Sequence, residues 1–183
     1  QCHDFRLNIK DELLFTCDLN FKKGFVYVIK GENGSGKTSF LRALKGLFMY
    51  EGQLEIKGTV IYQPQHFHLF QKHAKDNFFP DMQRADRFIR YFGIEDLLDK
   101  SVNVLSGGER QKVALIRSVI QDYDILLLDE PCSQMDIKSM EMTHALLFEL
   151  AQLENKCILL VSHQLDDSLN KAIALEIKDK QLI

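Results

Sequence analysis

The chain has no tryptophan, three prolines and no apolar run approaching the roughly 18 residues that a membrane-crossing helix needs. A helical membrane span is therefore excluded. Basic residues are not in excess either. The 23 Lys and Arg stand against 26 Asp and Glu, and a net charge of −3 leaves no electrostatic footprint for nucleic acid. The four cysteines, Cys2, Cys17, Cys132 and Cys157, have neither metal-ligand nor disulfide-framework spacing. Reduced thiols in a cytosolic protein are expected. There are no internal repeats and no low-complexity tract. No signal peptide is visible; the chain starts at Gln1, so an initiator is expected to have been removed or truncated, and no regulatory domain is expected at the other end. What remains is an ordinary globular balance, 45% hydrophobic and 27% charged, in 183 residues. That is enough for one sizeable core.

The first positive signal is Gly31-Glu-Asn-Gly-Ser-Gly-Lys-Thr38, which fits G-x-x-x-x-G-K-[ST]. A phosphate chain needs backbone N–H groups pointing inward with no side chain in the way. Gly31, Gly34 and Gly36 permit that tight path. The run Phe25-Val-Tyr-Val-Ile29 before the loop reads as a buried strand. Ser39 to Lys45 reads as a helix, with Gly46 as its stop. Strand, glycine-rich loop and helix give the context the motif requires, and the helix N-terminus adds its dipole and free N–H groups. The expected nucleotide-binding residues are Gly31, Asn33, Gly34, Ser35, Gly36, Lys37, Thr38 and Ser39. Lys37 is expected to reach the β- and γ-phosphates of ATP, and the Thr38 hydroxyl to ligate Mg²⁺.

A second signal is Ile125-Leu-Leu-Leu-Asp-Glu-Pro131. A continuous apolar run ending in two acids reads as a central parallel strand with its ligand-facing end at the carboxyl side. Asp129 is expected to hold the Mg²⁺ shell. Glu130, one residue on, points elsewhere and is the candidate to polarise a water.

The third signal is Leu105-Ser-Gly-Gly-Glu-Arg-Gln111. Ser106 and Glu109 form a capping box that opens a helix from Glu109 to about Gln121. A helix start with two glycines is an anion site. The chain's own phosphate loop already serves one nucleotide. This second site, Ser106, Gly107, Gly108 and Glu109, should therefore face outward, toward nucleotide held by another subunit.

With these motifs in this order, nearly the whole chain, about 13–177, resembles the nucleotide-binding domain of ABC ATPases. The resemblance implies an α/β fold: a P-loop NTPase core with a parallel sheet, N-terminal antiparallel strands and a small helical insert. It implies a single ATPase domain over 1–183, with a helical subdomain at about 66–121. Gln63, in Ile61-Tyr-Gln-Pro-Gln65, would be the glutamine that contacts Mg²⁺ and the attacking water and couples to a transmembrane partner. Ser133-Gln-Met-Asp136 matches the loop that crosses a dimer interface, and His163 after Cys157–Val161 matches the histidine that contacts the γ-phosphate. The implied catalytic set is Glu130, His163 and Gln63. The implied Mg²⁺ set is Thr38, Gln63 and Asp129.

The chain departs from the family in three ways. The aromatic residue that stacks on adenine is expected near Asn8, which is not aromatic; Phe5 is the nearest candidate and also suits the first strand's core. Adenine and guanine both stay open. Gln134-Met135 stands where small and aliphatic residues are usual. The stretches from Lys37 to Gln63 and from Gln63 to Ser106 are short, which implies a trimmed antiparallel sheet and helical arm.

Between the motifs, residues 5–29 read as strands with a hairpin turning at Lys22-Lys-Gly24, and 54–63 as two short strands broken at Lys57-Gly58. Pro80 is expected to open a helix from Asp81 to about Tyr91, with Phe88 and Phe92 packing at i, i+4. His66, His68 and His73 alternate with aromatics rather than following a metal-ligand spacing. Phe67, Phe70, Phe78 and Phe79 suit an exposed groove for a partner helix and suit core packing equally. Residues 138–153 read as an amphipathic helix, and 157–161, 172–177 and 181–183 as strands.

The function expected from this is an ATP-binding and hydrolysing subunit powering a membrane transporter through ATP-driven dimerisation. Its partners would be a transmembrane permease in a separate chain and a second ATPase subunit, head to tail, with no nucleic acid. It would be cytoplasmic, peripheral on the inner face of the cell membrane. The rivals are a soluble non-transport ABC ATPase, such as one serving iron–sulfur cluster assembly, and a non-catalytic nucleotide-gated module. The transported substrate is not written in the chain.

Overall fold

The computed structural model describes residues 1–183 with the exception of 11, 71 and 163–166. Nine strands form one sheet in the order β4-β1-β2-β9-β8-β3-β7-β6-β5. The parallel half holds β3 (Val26–Lys30), β5 (Val60–Gln63), β6 (Ile125–Asp129), β7 (Cys157–Val161) and β8 (Ile173–Lys178). The other half holds β1 (Cys2–Ile9), β2 (Glu12–Leu19), β4 (Glu51–Leu54) and β9 (Gln181–Leu182), with antiparallel pairs β1–β2 and β1–β4. β8 joins the halves, parallel to β3 and antiparallel to β9.

Period-two alternation sorts the side chains of the central strands onto two cores. Val26, Val28, Leu126, Leu128, Ile158 and Leu160 face the first core. There they meet α2 (Met82–Phe92), α3 (Gly107–Val119) and α4 (Ile137–Leu153) through Phe88, Ile116 and Leu147. Tyr27, Ile29, Leu127, Leu159 and Val161 face the second core. That core is filled by Phe40 and Leu41 of α1 (Lys37–Leu44) and by Phe5 and Phe15 of the antiparallel strands. A strand buried on both faces has to be apolar throughout, which is why β6 and β7 read as unbroken apolar runs.

Two expectations are corrected. The hairpin turns between Ile9 and Glu12, not at 22–24. Lys22-Lys-Gly24 instead carries the chain out of the antiparallel half, where β2 pairs with β1 and β9, into β3, which pairs with β7 and β8. The strand before β5 ends at Leu54 rather than beginning there. Gly52, at φ 91, lies so close to the Asp4 carbonyl that a Cβ would sit 2.1 Å from its oxygen, which docks β4 on β1.

The insert between β5 and α3 shares the first core with the sheet through Ala74, Phe78, Ala85, Phe88 and Leu97. Asn77 organises its first part. Its side chain accepts from Phe70 N–H at 2.7 Å and donates to the carbonyl oxygens of Phe70, His73 and Ala74. Arg117 of α3 holds the same segment, donating to the His68 carbonyl at 2.9 Å while its guanidinium lies over the Phe70 ring. α2 begins just after Pro80, as expected, and stops at Gly93 in the left-handed region. Among the described residues, no helix is long and apolar enough to cross a membrane.

Candidate nucleotide-binding site

The carboxyl ends of β3, β6 and β7 bring Lys37, Thr38, Asp129, Glu130 and Ser162 to one edge of the sheet. An open cavity of about 560 Å³ there is lined by Asn33, Gly34, Gly36, Lys37, Thr38, Ser39, Gln65, Glu130, Val161 and Ile9. Of the eight nucleotide-binding residues expected from the sequence, Asn33, Gly34, Gly36, Lys37, Thr38 and Ser39 line this cavity, and Gly31 and Ser35 do not. None of residues 106–109 lines this cavity.

The loop geometry depends on glycine at two points. Gly34 has φ 81 with open space where a side chain would stand. Gly36 has φ 101, and a Cβ would meet Leu14, Leu7 and Phe15 at 2.9–3.2 Å. Gly36 also caps α1. Ser35 Oγ is buried without a hydrogen-bond partner among the described residues, a demand a phosphate oxygen would meet. Lys37 is buried, and its ammonium donates to the carbonyl oxygens of Gly31 and Glu32 at 2.8 and 2.7 Å. Burial holds its pKa below the usual lysine range, against the opposing pull of Glu130 and Asp129.

Asp129 is the fifth residue of β6 and falls on the α1 face. Its two oxygens accept from Thr38 Oγ1 at 3.1 Å and from Tyr62 Oη at 3.3 Å. Burial raises its pKa, Glu130 adds to that, and the two hydrogen bonds and Lys37 oppose it. Burial, then Asp129, push the Tyr62 phenol up as well. A buried carboxylate beside a threonine hydroxyl is an oxygen donor set that suits Mg²⁺, and the residues present fit that ion. Glu130 has φ 50, in the left-handed region that non-glycine residues rarely adopt. Its N–H donates to the Val161 carbonyl at 3.0 Å. Its carboxylate accepts from Gln65 Nε2 at 2.9 Å.

That last contact corrects the reading of Gln63. Tyr62 and Gln63 are neighbours on β5, so their side chains leave on opposite faces. Tyr62 goes to the Asp129 face. Gln63 goes to the other, is 2% exposed, and accepts from Ser118 Oγ of α3 at 3.1 Å. It does not line the phosphate-loop cavity, whereas Gln65, beyond Pro64, lines it and stands beside Glu130. The sequence signal for this was present: the Pro64 turn releases Gln65, not Gln63, from strand alternation.

The segment 105–111 is built as expected. Ser106 Oγ accepts from Glu109 N–H at 3.3 Å, and the Glu109 carboxylate accepts from Ser106 N–H at 2.7 Å. Those bonds hold the Glu109 pKa below the usual carboxylate range. Gly107 and Gly108 face Gln134, where a Cβ would lie 1.9 Å from its Oε1 and 2.9 Å from its carbonyl oxygen. Gln111, which sequence reasoning passed over, clamps the same turn: Nε2 donates to Ser133 Oγ at 2.8 Å and Oε1 accepts from Gln134 N–H at 2.8 Å. Asp136 is the N-cap of α4, accepting from Ser139 N–H at 2.8 Å, which lowers its pKa.

Three further expectations find their places. Phe5 is fully buried against Phe15 and Phe40 and cannot stack on a base. Asn8 donates to Glu51, and Ile9 supplies the apolar side chain at the cavity. Phe78 is 0% exposed and Phe79 85%, so the aromatic cluster divides between core and surface. His163 lies outside the described residues.

The family model described as "ABC transporter" matches residues 14–133. The thiamine import ATP-binding protein ThiQ of Aliivibrio fischeri is 34% identical over 185 residues, covering 88% of this chain and 78% of its own. The taurine import ATP-binding protein TauB of Jannaschia sp. is 30% identical over 179 residues, covering 86% and 67%. Among solved structures, one assigned to a metal-chelate type ABC transporter, in an inward-facing conformation, superposes with TM-score 0.76 at 26% identity, covering 92% of this chain and 74% of that one. The RNase-L Inhibitor superposes with TM-score 0.79 at 29% identity, covering 89% and 35%.

Proposed function

The chain belongs to the ABC transporter family of ATP-binding domains, and from that premise we propose that it binds and hydrolyses MgATP and drives a membrane transporter by ATP-dependent pairing. The observation that carries the catalytic part is that Lys37, Thr38, Gln65 and Glu130 line one cavity at a helix N-terminus, with Asp129 accepting a hydrogen bond from Thr38 beside it. Backbone N–H groups of 34–39 and Lys37 hold the phosphates. Thr38 and Asp129 would hold Mg²⁺, which would supply positive charge beside the phosphates. Gln65 orients the Glu130 carboxylate, and Glu130 takes the proton of the attacking water. His163 stays assigned to the γ-phosphate by family resemblance.

Pairing is supported by the exposed end of α3. Ser106 belongs to an anion-binding helix start that its own phosphate cavity does not use. Val104 and Ile137, both exposed apolar side chains, flank that helix start and Asp136. Two copies in head-to-tail contact would cover them and set Ser106 on the partner's nucleotide. Mass by light scattering on the Glu130→Gln variant tests this. Glutamine keeps the shape but cannot take the proton, so turnover falls by about 100-fold or more, and MgATP converts monomer to dimer. A monomer at every ATP concentration with wild-type turnover would sink both halves of the reading.

The transport assignment rests on the import relatives and on Phe70, Phe79 and Met82, exposed on the insert. The chain then works at the inner face of the cell membrane with a permease in a separate chain. The likeness to the RNase-L Inhibitor, whose name carries no transport role, favours a soluble ABC ATPase as the second reading. Recovery of a polytopic membrane protein with the tagged chain distinguishes the two.

A further inference from the structure

One buried histidine has no part in the chemistry just described. His144 of α4 is 1% exposed, in a helix that also buries Met140, Leu146, Leu147 and Leu150. Its Nε2 lies 3.9 Å from Cys132 Sγ, and its Nδ1 2.5 Å from Ser168 Oγ. These partners stand on two different loops. Cys132 is buried two residues after Glu130, in the turn that leaves β6. Ser168 lies in the short 3₁₀ helix Asp167–Leu169, in the segment that follows β7 and carries His163 five residues earlier in sequence. β6 and β7 are adjacent parallel strands. A single imidazole thus touches both the turn after Glu130 and the 3₁₀ helix that contains Ser168.

The chemistry of the ring makes this a link rather than two separate contacts. A neutral imidazole has one N–H donor and one bare nitrogen acceptor. If the Ser168 hydroxyl donates to Nδ1, Nε2–H is directed at Cys132. If Nδ1–H donates to Ser168, Nε2 accepts from the Cys132 thiol. Either tautomer ties the two loops with one rigid ring. A leucine would fill the volume and carry no such tie. The neighbouring Thr143 reaches the same turn, donating to Met135 Sδ at 3.4 Å.

We propose that His144 is a positioning residue, which through Cys132 and Ser168 fixes the Glu130 turn relative to the segment after β7, and so sets turnover without contributing to nucleotide affinity. This rests on the ATPase reading above. Neither Cys132 nor Ser168 lines the phosphate-loop cavity, so loss of the tie acts through geometry.

The test uses the full chain, with nucleotide affinity and turnover measured separately. His144→Leu and Ser168→Ala each keep MgATP affinity within about threefold while turnover falls by about 10-fold or more, the scale of a displaced catalytic group. The double variant falls no further than His144→Leu alone, because both remove the same tie. His144→Gln, which can still donate and accept at the Cys132 end, recovers part of the loss. Should His144→Leu fail to fold by circular dichroism, Ser168→Ala and His144→Gln carry the test. Unchanged turnover in Ser168→Ala, or additive losses in the double variant, overturns the proposal. So does an equal loss of affinity and turnover. A wild-type chain without turnover would instead overturn the ATPase reading itself.

Discussion

Two loops of this molecule open helices with glycines, and they do it by different physics. Residues 31–38 fold into left-handed backbone at Gly34 and Gly36, bury Lys37 and enclose their own cavity. Residues 105–111 need no left-handed residue; the capping box closes the helix end, and Gly107 and Gly108 are small because Gln134 lies against them. The first lines a cavity of its own chain. The second holds an exposed helix start that does not line that cavity. In the function proposed above, the first cradles the phosphates of a site that the second completes from another copy.

The sharpest way to separate the two is to remove one charge and to block one surface. Lys37→Ala deletes the ammonium expected on the β/γ-phosphates. We predict that ATP affinity drops by about 100-fold or more, the worth of two charge-assisted hydrogen bonds, in equilibrium binding by the isolated chain. Affinity unchanged within about threefold would mean that the cradle is misassigned. Ser106→Arg is predicted to do the reverse. Monomer binding stays intact, and turnover falls by about 100-fold because the partner's nucleotide can no longer approach. Loss of binding by the monomer would erase the distinction between the loops.

Glycine replacement breaks the comparison at the backbone. Gly36→Ala combines a strained φ with a collision against Leu14, Leu7 and Phe15, and should cost about 3 kcal/mol or more. Gly107→Ala meets chiefly the movable carboxamide of Gln134, and should cost about 1 kcal/mol. Adding Gln134→Ala should recover most of it. Urea denaturation of the three variants reads these costs; equal costs at Gly36 and Gly107 would contradict the account.

The smallest expected effect is electrostatic. Burial raises the Asp129 pKa in the folded chain, so the folded state binds the proton more tightly than the unfolded state. The buried carboxylate then lowers stability above its folded pKa, and the penalty disappears as pH falls below the unfolded value near 4. Asp129→Asn should therefore raise the thermal midpoint by about 2–4 °C at pH 7, with the gain shrinking toward pH 4, while Mg²⁺-dependent turnover is lost. A lower midpoint at pH 7 would show that the hydrogen bonds from Thr38 and Tyr62 outweigh the burial cost.

Much of this was legible beforehand. β3, β6 and β7 are apolar runs with period-two sides, α4 is a long amphipathic repeat, and the cap at Ser106 is a local signal. The misses were of another kind. Lys22-Lys-Gly24 reads as a hairpin turn, yet β2 and β3 have different pairing partners. Phe78 and Phe79 are adjacent and equally aromatic, and only the packing of the insert on the first core buries one of them. The roles of Asn77, Arg117 and Gln111 depend on segments folded beside them, which no local pattern marks.

Sequence by itself determined the order of strand, loop and helix, the glycines that a phosphate cradle needs, and the acids at the end of β6. Each rests on forces between residues close in the chain: backbone sterics, capping and alternation. The tertiary structure decided which of two glutamines reaches Glu130, that Phe5 is core, and that His144 lies between Cys132 and Ser168. Alternation says that Tyr62 and Gln63 diverge, but not which face holds α1 and which α3. That choice is made by contacts between residues more than fifty positions apart, such as Gln63 with Ser118.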